Sequence, residues 1–349
     1  MDNLKVVIFS LTRKGCLEYS LKMISFIDKP LVFLSNLNVD ASLPYSKKID
    51  TYSNIRDFII STLKFVFKGY AIVRNLKNEY KNQAIVFYFP VFHPWNLIIL
   101  FYSKLYSIRS ILTIHDYDFH FGEKSKIAFY IQYLSAKLAN NLIFLSFHER
   151  NKVENKSILD KIHIVNHPYL DFQNLKTNFE YREKPRLLFL GRLSMYKGID
   201  ILIKAFPCIV NHIEHLTVAG ELIDTSIKLP AHIKIKKKLN YLSDEEIYNL
   251  LATHDILILP YIDASQSGIL TIGRSVGIPM IISDLPGLRE QLGENQAYWI
   301  KAGLSESIMD AILWYAQKEN YNLILQNMDS INNDLNIDIK RKINKILTG

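Results

Sequence analysis

Two series with the same rhythm divide this chain and constrain its fold more than any other feature. Short apolar runs at 6–9, 85–89, 111–114, 142–145 and 162–165 alternate with helical spacing. After a polar stretch at 171–184 the rhythm restarts, at 187–190, 216–219, 256–259 and 280–282. Runs this short, bounded by turn residues, suit strands buried on both faces, and their alternation with helices calls for parallel sheets. The expectation is two α/β domains facing each other, divided at 170/171, and a chain of 349 residues suits two cores better than one. Ligands of such sheets bind past the carboxyl ends of the strands, so the residues just after each strand matter most.

Composition narrows the class. Apolar residues make up 49% and charged residues 22%, a foldable balance and not a disordered one. Cys16 and Cys208 are far apart and build neither a disulfide framework nor metal-ligand spacing, which fits a reducing, cytoplasmic setting. The start, Met-Asp-Asn-Leu-Lys, is expected to be no secretory leader. Pro90, His93, Pro94 and Asn96 break the most apolar stretch, 84–102, so it reads as a strand, a turn and a helix start, not a membrane span. The net charge of +8 is compatible with nucleic acid, a membrane surface or an anionic ligand. Nucleic acid is not expected, because the basic run 234–238 lacks the interleaved aromatics of a stacking platform. The segment 55–70 has apolar residues at helical spacing, with Arg56, Lys64, Lys68 and Arg74 among or after them. It reads as a helix packed on its own sheet or as a basic amphipathic helix on an anionic membrane.

Four segments following predicted strands carry candidate chemistry. In 187–206 an apolar strand ends at Gly191-Arg192, a loop reaches Lys197-Gly198, and a helix begins. Arg192 forks onto two phosphate oxygens and Lys197 acts as a compact charge, so together they match a diphosphate; either alone is ordinary surface charge. In 257–279 a strand ends near Pro260 and a helix starts at Ser267-Gly268, preceded by Gln266, with Gly277 and Pro279 as its stop. The free amides of that helix start seat a phosphate, and Gly268 permits close approach. In 282–290 a Pro-Gly turn leads to Glu290, a partner for a sugar hydroxyl or ribose, or simply a first-turn acid. In 111–123 a strand delivers His115 and Asp116, with His120 and Glu123 shortly after. That spacing matches no zinc pattern, so these residues, with Arg13 and Gly15 of the first loop, are expected on the acceptor side and no metal is expected. Ser243 and Glu246 form a capping box and are structural.

On these residues the chain resembles the retaining, family-4-like (group 1) glycosyltransferases of GT-B fold. The resemblance covers 186–300 and rests on Gly191-Arg192, Lys197-Gly198, Val218-Ala219-Gly220, the segment 241–246, Gln266-Ser267-Gly268, Gly277-Ile278-Pro279 and the segment 286–290. It is looser in the first half, at Thr113-Ile114-His115. It implies two Rossmann-like domains facing across a cleft. Residues 1–170 would form the acceptor side, with a terminal helix at 330–349 packing back on it, and 171–329 the nucleotide-sugar donor domain. It further implies that Arg192 and Lys197 bind the donor diphosphate, that Gln266, Ser267 and Gly268 hold a phosphate, and that Asn240 lies near the base. Asp263 and Glu290 would complete the donor side, with His115 orienting acceptor or sugar. Such relatives usually carry two Glu separated by seven residues; here those positions are Ala264 and Ile272, with Asp263 one residue early. The implied activity is metal-independent and cofactor-free transfer of a sugar, with retention, to a glycan or lipid-linked acceptor. The basic charge and the helical segment 55–70 fit an acceptor at the inner face of the plasma membrane, and surface polysaccharide synthesis is the expected setting. The rival readings are a catalytically inactive subunit that binds a nucleotide sugar or a partner enzyme, and a nucleotide-sugar epimerase.

Overall fold

Strands with no polar face need cover on both sides, and each of the two sheets has it. The computed structural model describes residues 3–12, 16–37, 43, 45–52, 54–117, 126–170, 179–329 and 334–349. They fall into two compact units. The first comprises Met1–Phe119, Ser125–Pro168 and Asp334–Gly349, and the second contains Tyr169–Asn333.

In the first unit the strands are β1 (Leu4–Ser10), β2 (Leu31–Ser35), β3 (Ser46–Ile49), β4 (Ala84–Phe89), β5 (Arg109–Ile114), β6 (Asn141–Phe144) and β7 (Ile162–Ile164). They pair in the order β3-β2-β1-β4-β5-β6-β7, all parallel. Between them run α1 (Leu17–Ser25), α2 (Ile55–Glu79), α3 (Asn96–Leu105), α4 (Lys126–Leu138), α5 (Phe147–Asn151) and α6 (Lys156–Leu159). Alternation along β1 sorts the helices. Val7 and Phe9 join the core of Phe65, Val73, Ile99 and Ala136 from α2, α3 and α4. Val6 and Ile8 point the other way, to Tyr19 and Met23 of α1 and to Ile339 and Ile343 of the final helix, Asp334–Thr348. Arg109, at the start of β5, donates to the carbonyl oxygens of Ile346 and Leu347 and so caps that final helix.

In the second unit β8 (Arg186–Leu190), β9 (His215–Ala219), β10 (Ile235–Lys238), β11 (Ile256–Leu259), β12 (Met280–Ser283) and β13 (Tyr298–Ile300) pair in the order β10-β9-β8-β11-β12-β13, again all parallel. The helices are α7 (Ile199–Ile209), α8 (Asp244–Ala252), α9 (Gly268–Val276), α10 (Pro286–Arg289), α11 (Glu306–Tyr315) and α12 (Lys318–Asp329). Ile199, Leu202, Phe206 and Ile209 place one apolar stripe of α7 on the sheet. Both orders reverse direction beside the first strand of their unit, as in doubly wound sheets, and each reversal opens a crevice at the strand ends. Four strands, β2, β3, β10 and β13, lie outside the expected apolar runs. The lysines of β10 are tolerated because it is an edge strand, where charge also blocks further pairing.

His254, buried after α8, gives the second unit a pH dependence. Its Nδ1 lies 2.6 Å from the Leu250 carbonyl oxygen and its Nε2 2.7 Å from Thr217 Oγ1, so a neutral ring donates at one nitrogen and accepts at the other. Burial pushes its pKa down to about 4. The folded value lies below the unfolded value of about 6.5, so the unfolded chain takes up the proton first. Stability is therefore complete above about pH 6.5 and is lost as the pH falls toward about 4. The urea midpoint should be lower at about pH 5 than at about pH 7, and His254→Gln should remove part of that difference.

Candidate active site

The crevice of the second unit opens between β8 and β11, and the local sequence builds a buried cation into it. Gly191, with φ +126°, directly follows β8, and Arg192 after it is exposed. A short turn at Met195–Lys197 then meets Gly198, whose φ is +68°. A Cβ at Gly198 would lie 1.8 Å from the carbonyl oxygen of Pro260, the residue just past β11, so this loop presses directly on the neighbouring strand end. The close approach turns Lys197 inward, where it is only 9% exposed. Its Nζ donates to the Tyr261 hydroxyl at 2.9 Å and lies 4.4 Å from the centre of that ring. It also sits over Gly191, 3.4 Å from where a Cβ would stand. Among the described residues no carboxylate pairs with it.

Tyr261 links this ammonium to the tip of α9. Its hydroxyl is 3.2 Å from Ser267 Oγ, which accepts the Leu270 amide as the helix cap. Gln291 clamps the same residue: its Oε1 accepts the Ser267 N–H at 2.6 Å, and its Nε2 donates to the Ser267 carbonyl and to Thr271 Oγ1. Beside Gly268 the space is open: apart from its chain neighbours and its own helix backbone, no described atom lies within 4 Å of a Cβ placed there. A fixed helix N-terminus, a buried ammonium and the Gly191-Arg192 backbone thus converge at the switch point, an arrangement suited to an anion.

The remaining donor-side candidates are more loosely tied. Asn240, after β10, is exposed and donates to the Tyr241 carbonyl. That segment is anchored by the capping box of Ser243 and Glu246 and by a 2.7 Å ion pair between Lys238 and Glu246. Asp263 and Gln266 are half-buried in the loop between β11 and α9, and Glu290 closes α10. Ala264 is buried, and Ile272 packs against the core, so neither position of the usual Glu pair presents a carboxylate. Tyr261 and Gln291 escaped the sequence reading. Tyr261 carries a signal, since it lies two residues past the end of β11; Gln291 carries none.

In the first unit β5 delivers His115 beside the end of β4. Its Nε2 lies 3.1 Å from the Pro90 carbonyl oxygen, and the Tyr19 ring meets it edge-on at 4.5 Å. Burial lowers the His115 pKa, partly offset by Asp116, so the ring is neutral; donation to Pro90 makes Nδ1 its basic nitrogen. Burial likewise pushes His167, packed on Tyr19, down to about 4. The loop after His115 is held from two sides. Gln132 donates to the Asp116 carbonyl at 2.8 Å, and the buried Glu149 accepts the Tyr117 amide at 2.6 Å. Glu149 also escaped the sequence reading, because its place three residues after the cap Ser146 reads as helix capping alone. Arg13, Gly15, His120 and Glu123 lie outside the described residues. No three His, Cys, Asp or Glu among the described residues are grouped to hold a metal ion.

Residues 184–318 match the family described as "Glycosyl transferases group 1". An uncharacterized glycosyltransferase of Methanocaldococcus jannaschii is 26% identical over 133 residues, covering 36% of this chain and 34% of that protein. HepE of Anabaena, solved with UDP and glucose, superposes with a TM-score of 0.72 at 13% identity over 99% of both chains. The catalytic domain of starch synthase IV from Arabidopsis thaliana, solved with ADP and acarbose, gives 0.71 at 12% identity over 99% of this chain and 100% of that one. A glycosyltransferase from Rickettsia africae gives 0.71 at 15%, over 99% of this chain and 98% of that one. At these identities the structures establish the fold, two Rossmann-like domains of the GT-B class.

Proposed function

We propose that this chain, whose residues 184–318 form a group 1 glycosyl transferase domain, moves a sugar from a nucleoside-diphosphate donor to a glycan or lipid-linked acceptor with retention of configuration. The observation that carries the reading is Lys197. A buried ammonium that no carboxylate among the described residues pairs with is costly to hold, and a diphosphate is a ligand that offsets the cost. As the bond from the anomeric carbon to the phosphate oxygen breaks, charge grows on that oxygen. Lys197, Arg192 and the amides at the tip of α9 stabilise it, which is electrostatic preorganisation by the chain's own groups. The bond to the acceptor oxygen forms on the same face, and the departing phosphate takes the acceptor's proton. With these cations in place the reaction needs no metal ion. His115, neutral and fixed by Pro90, orients a hydroxyl and does not act as a strong base. Asn240, Asp263, Gln266 and Glu290 select the nucleotide and sugar, and Arg13, Gly15, Asp116, His120 and Glu123 serve the acceptor. An acceptor for surface polysaccharide synthesis, presented at the cytoplasmic face of an anionic membrane, completes the reading.

Arg192→Ala is the test. Turnover should fall by about 10²–10³-fold while the melting temperature stays near wild type, because Arg192 is exposed. Near-normal turnover would overturn the assignment. A second reading, an inactive subunit that binds a sugar nucleotide or a partner enzyme, is favoured by one observation: Ala264 and Ile272 leave the usual Glu pair without a carboxylate. Donor hydrolysis or transfer by the purified protein excludes it.

A further inference from the structure

Helix α2 is apolar on two sides. Its inner side buries Phe65, Val73 and Leu76 in the core of the first unit. Its outer side exposes Ile59, Leu63, Phe67 and Tyr70, with Ile60 beside them, and Phe67 is 77% exposed. The spacing of i, i+4, i+8 and i+11 makes one stripe along the helix. The stripe continues onto α3, where Phe101 and Leu105 are also exposed. A ring contact of 5.6 Å between Tyr70 of α2 and Tyr102 of α3 joins the two helices, and Phe101 packs on Tyr102 at 5.5 Å within α3. Apolar side chains scattered singly over a surface need no explanation, whereas a continuous face of this kind marks an interaction site.

The charges around the face indicate what covers it. Arg56, Lys64, Lys68, Arg74 and Lys77 are exposed along α2, and Lys104 lies between Phe101 and Leu105 in the sequence of α3. The two acids of α2 are Asp57, which accepts from Ser61, and Glu79, the last residue. Cations with apolar side chains between them complement a surface that is negative outside and apolar beneath. We infer that this face docks the protein on an anionic lipid bilayer, with α2 lying in the headgroup plane. Leu63 and Phe67 enter the acyl boundary, and the lysines and arginines lie among the lipid phosphates. The inference rests on the membrane part of the reading above and not on its chemistry, so lipid binding and nucleotide binding are measured separately.

The test is co-sedimentation of the full chain with phosphatidylcholine vesicles, with and without phosphatidylglycerol, at low and high salt. Wild type should pellet only with the phosphatidylglycerol vesicles, and less at high salt. The pairs Leu63→Glu with Phe67→Glu, and Lys64→Glu with Lys68→Glu, should each lower partitioning at least about tenfold. Both should keep the wild-type melting temperature and nucleoside-diphosphate affinity, since none of the four residues touches the candidate site. Absence of binding to anionic vesicles at low salt would overturn the inference, as would unchanged binding of both double variants. A dimer dissociated by the Leu63 and Phe67 changes, with no lipid binding, would assign the face to a second copy and overturn it too.

Discussion

Lys197→Ala should lower kcat/KM for sugar transfer by about a thousandfold, equivalent to roughly 4 kcal/mol of lost leaving-group stabilisation. The unliganded protein should be as stable as wild type or slightly more so. The two effects diverge for one physical reason. In the free protein the ammonium is buried against the Tyr261 hydroxyl and the Tyr261 and Tyr196 rings, with no carboxylate pairing it among the described residues, so removing it relieves a desolvated charge. In the reaction the same charge faces the phosphate oxygen as its electrons arrive. Steady-state kinetics and a thermal melt on one preparation check both. A variant that melts far below wild type would show that Lys197 is there for stability instead.

Gly198→Ala should cost about 3 kcal/mol or more of stability and weaken nucleotide binding with it. Two penalties add. The residue sits at φ +68°, where a side chain is strained, and its Cβ would stand 1.8 Å from the Pro260 carbonyl oxygen. Relief requires the loop after β8 to move off the end of β11, and Lys197 is the residue that moves with it. Gly268→Ala supplies the contrast. It lies in a helix with open space beside it, so the variant's stability should hold within the ~0.5 kcal/mol of ordinary surface changes. Chemical denaturation of the two variants side by side separates the cases.

Much of the fold was legible because the signals were local. The apolar runs of β4, β5, β8, β9, β11 and β12 stand out wherever a strand is buried on both faces. The ends of α9 follow from Ser267 and Gly277, and its cap and left-handed stop are where those residue types belong. Edge strands carry no such signal. β10 reads Ile-Lys-Lys-Lys, and only its neighbour β9 makes it a strand. Helix α2 outran the expected 55–70 because Val73 and Leu76 extend its buried side. In the site, Arg192, Lys197 and Ser267 could be picked out because each follows a strand end. Gln291 could not, since its role depends on a contact 24 residues away in sequence. Glu149 was hidden for a similar reason, as its partner Tyr117 is 32 residues distant.

Isothermal titration of nucleoside, nucleoside monophosphate and nucleoside diphosphate into wild type and the Arg192→Ala, Lys197→Ala double variant tests the grip on the diphosphate most directly. The diphosphate should bind wild type far more tightly than the nucleoside does, and the double variant should lose at least about a hundredfold of that affinity, as expected for two charge-assisted contacts, while its nucleoside affinity is unchanged. Equal diphosphate affinity in the two proteins, or no nucleotide binding by wild type, would contradict the account.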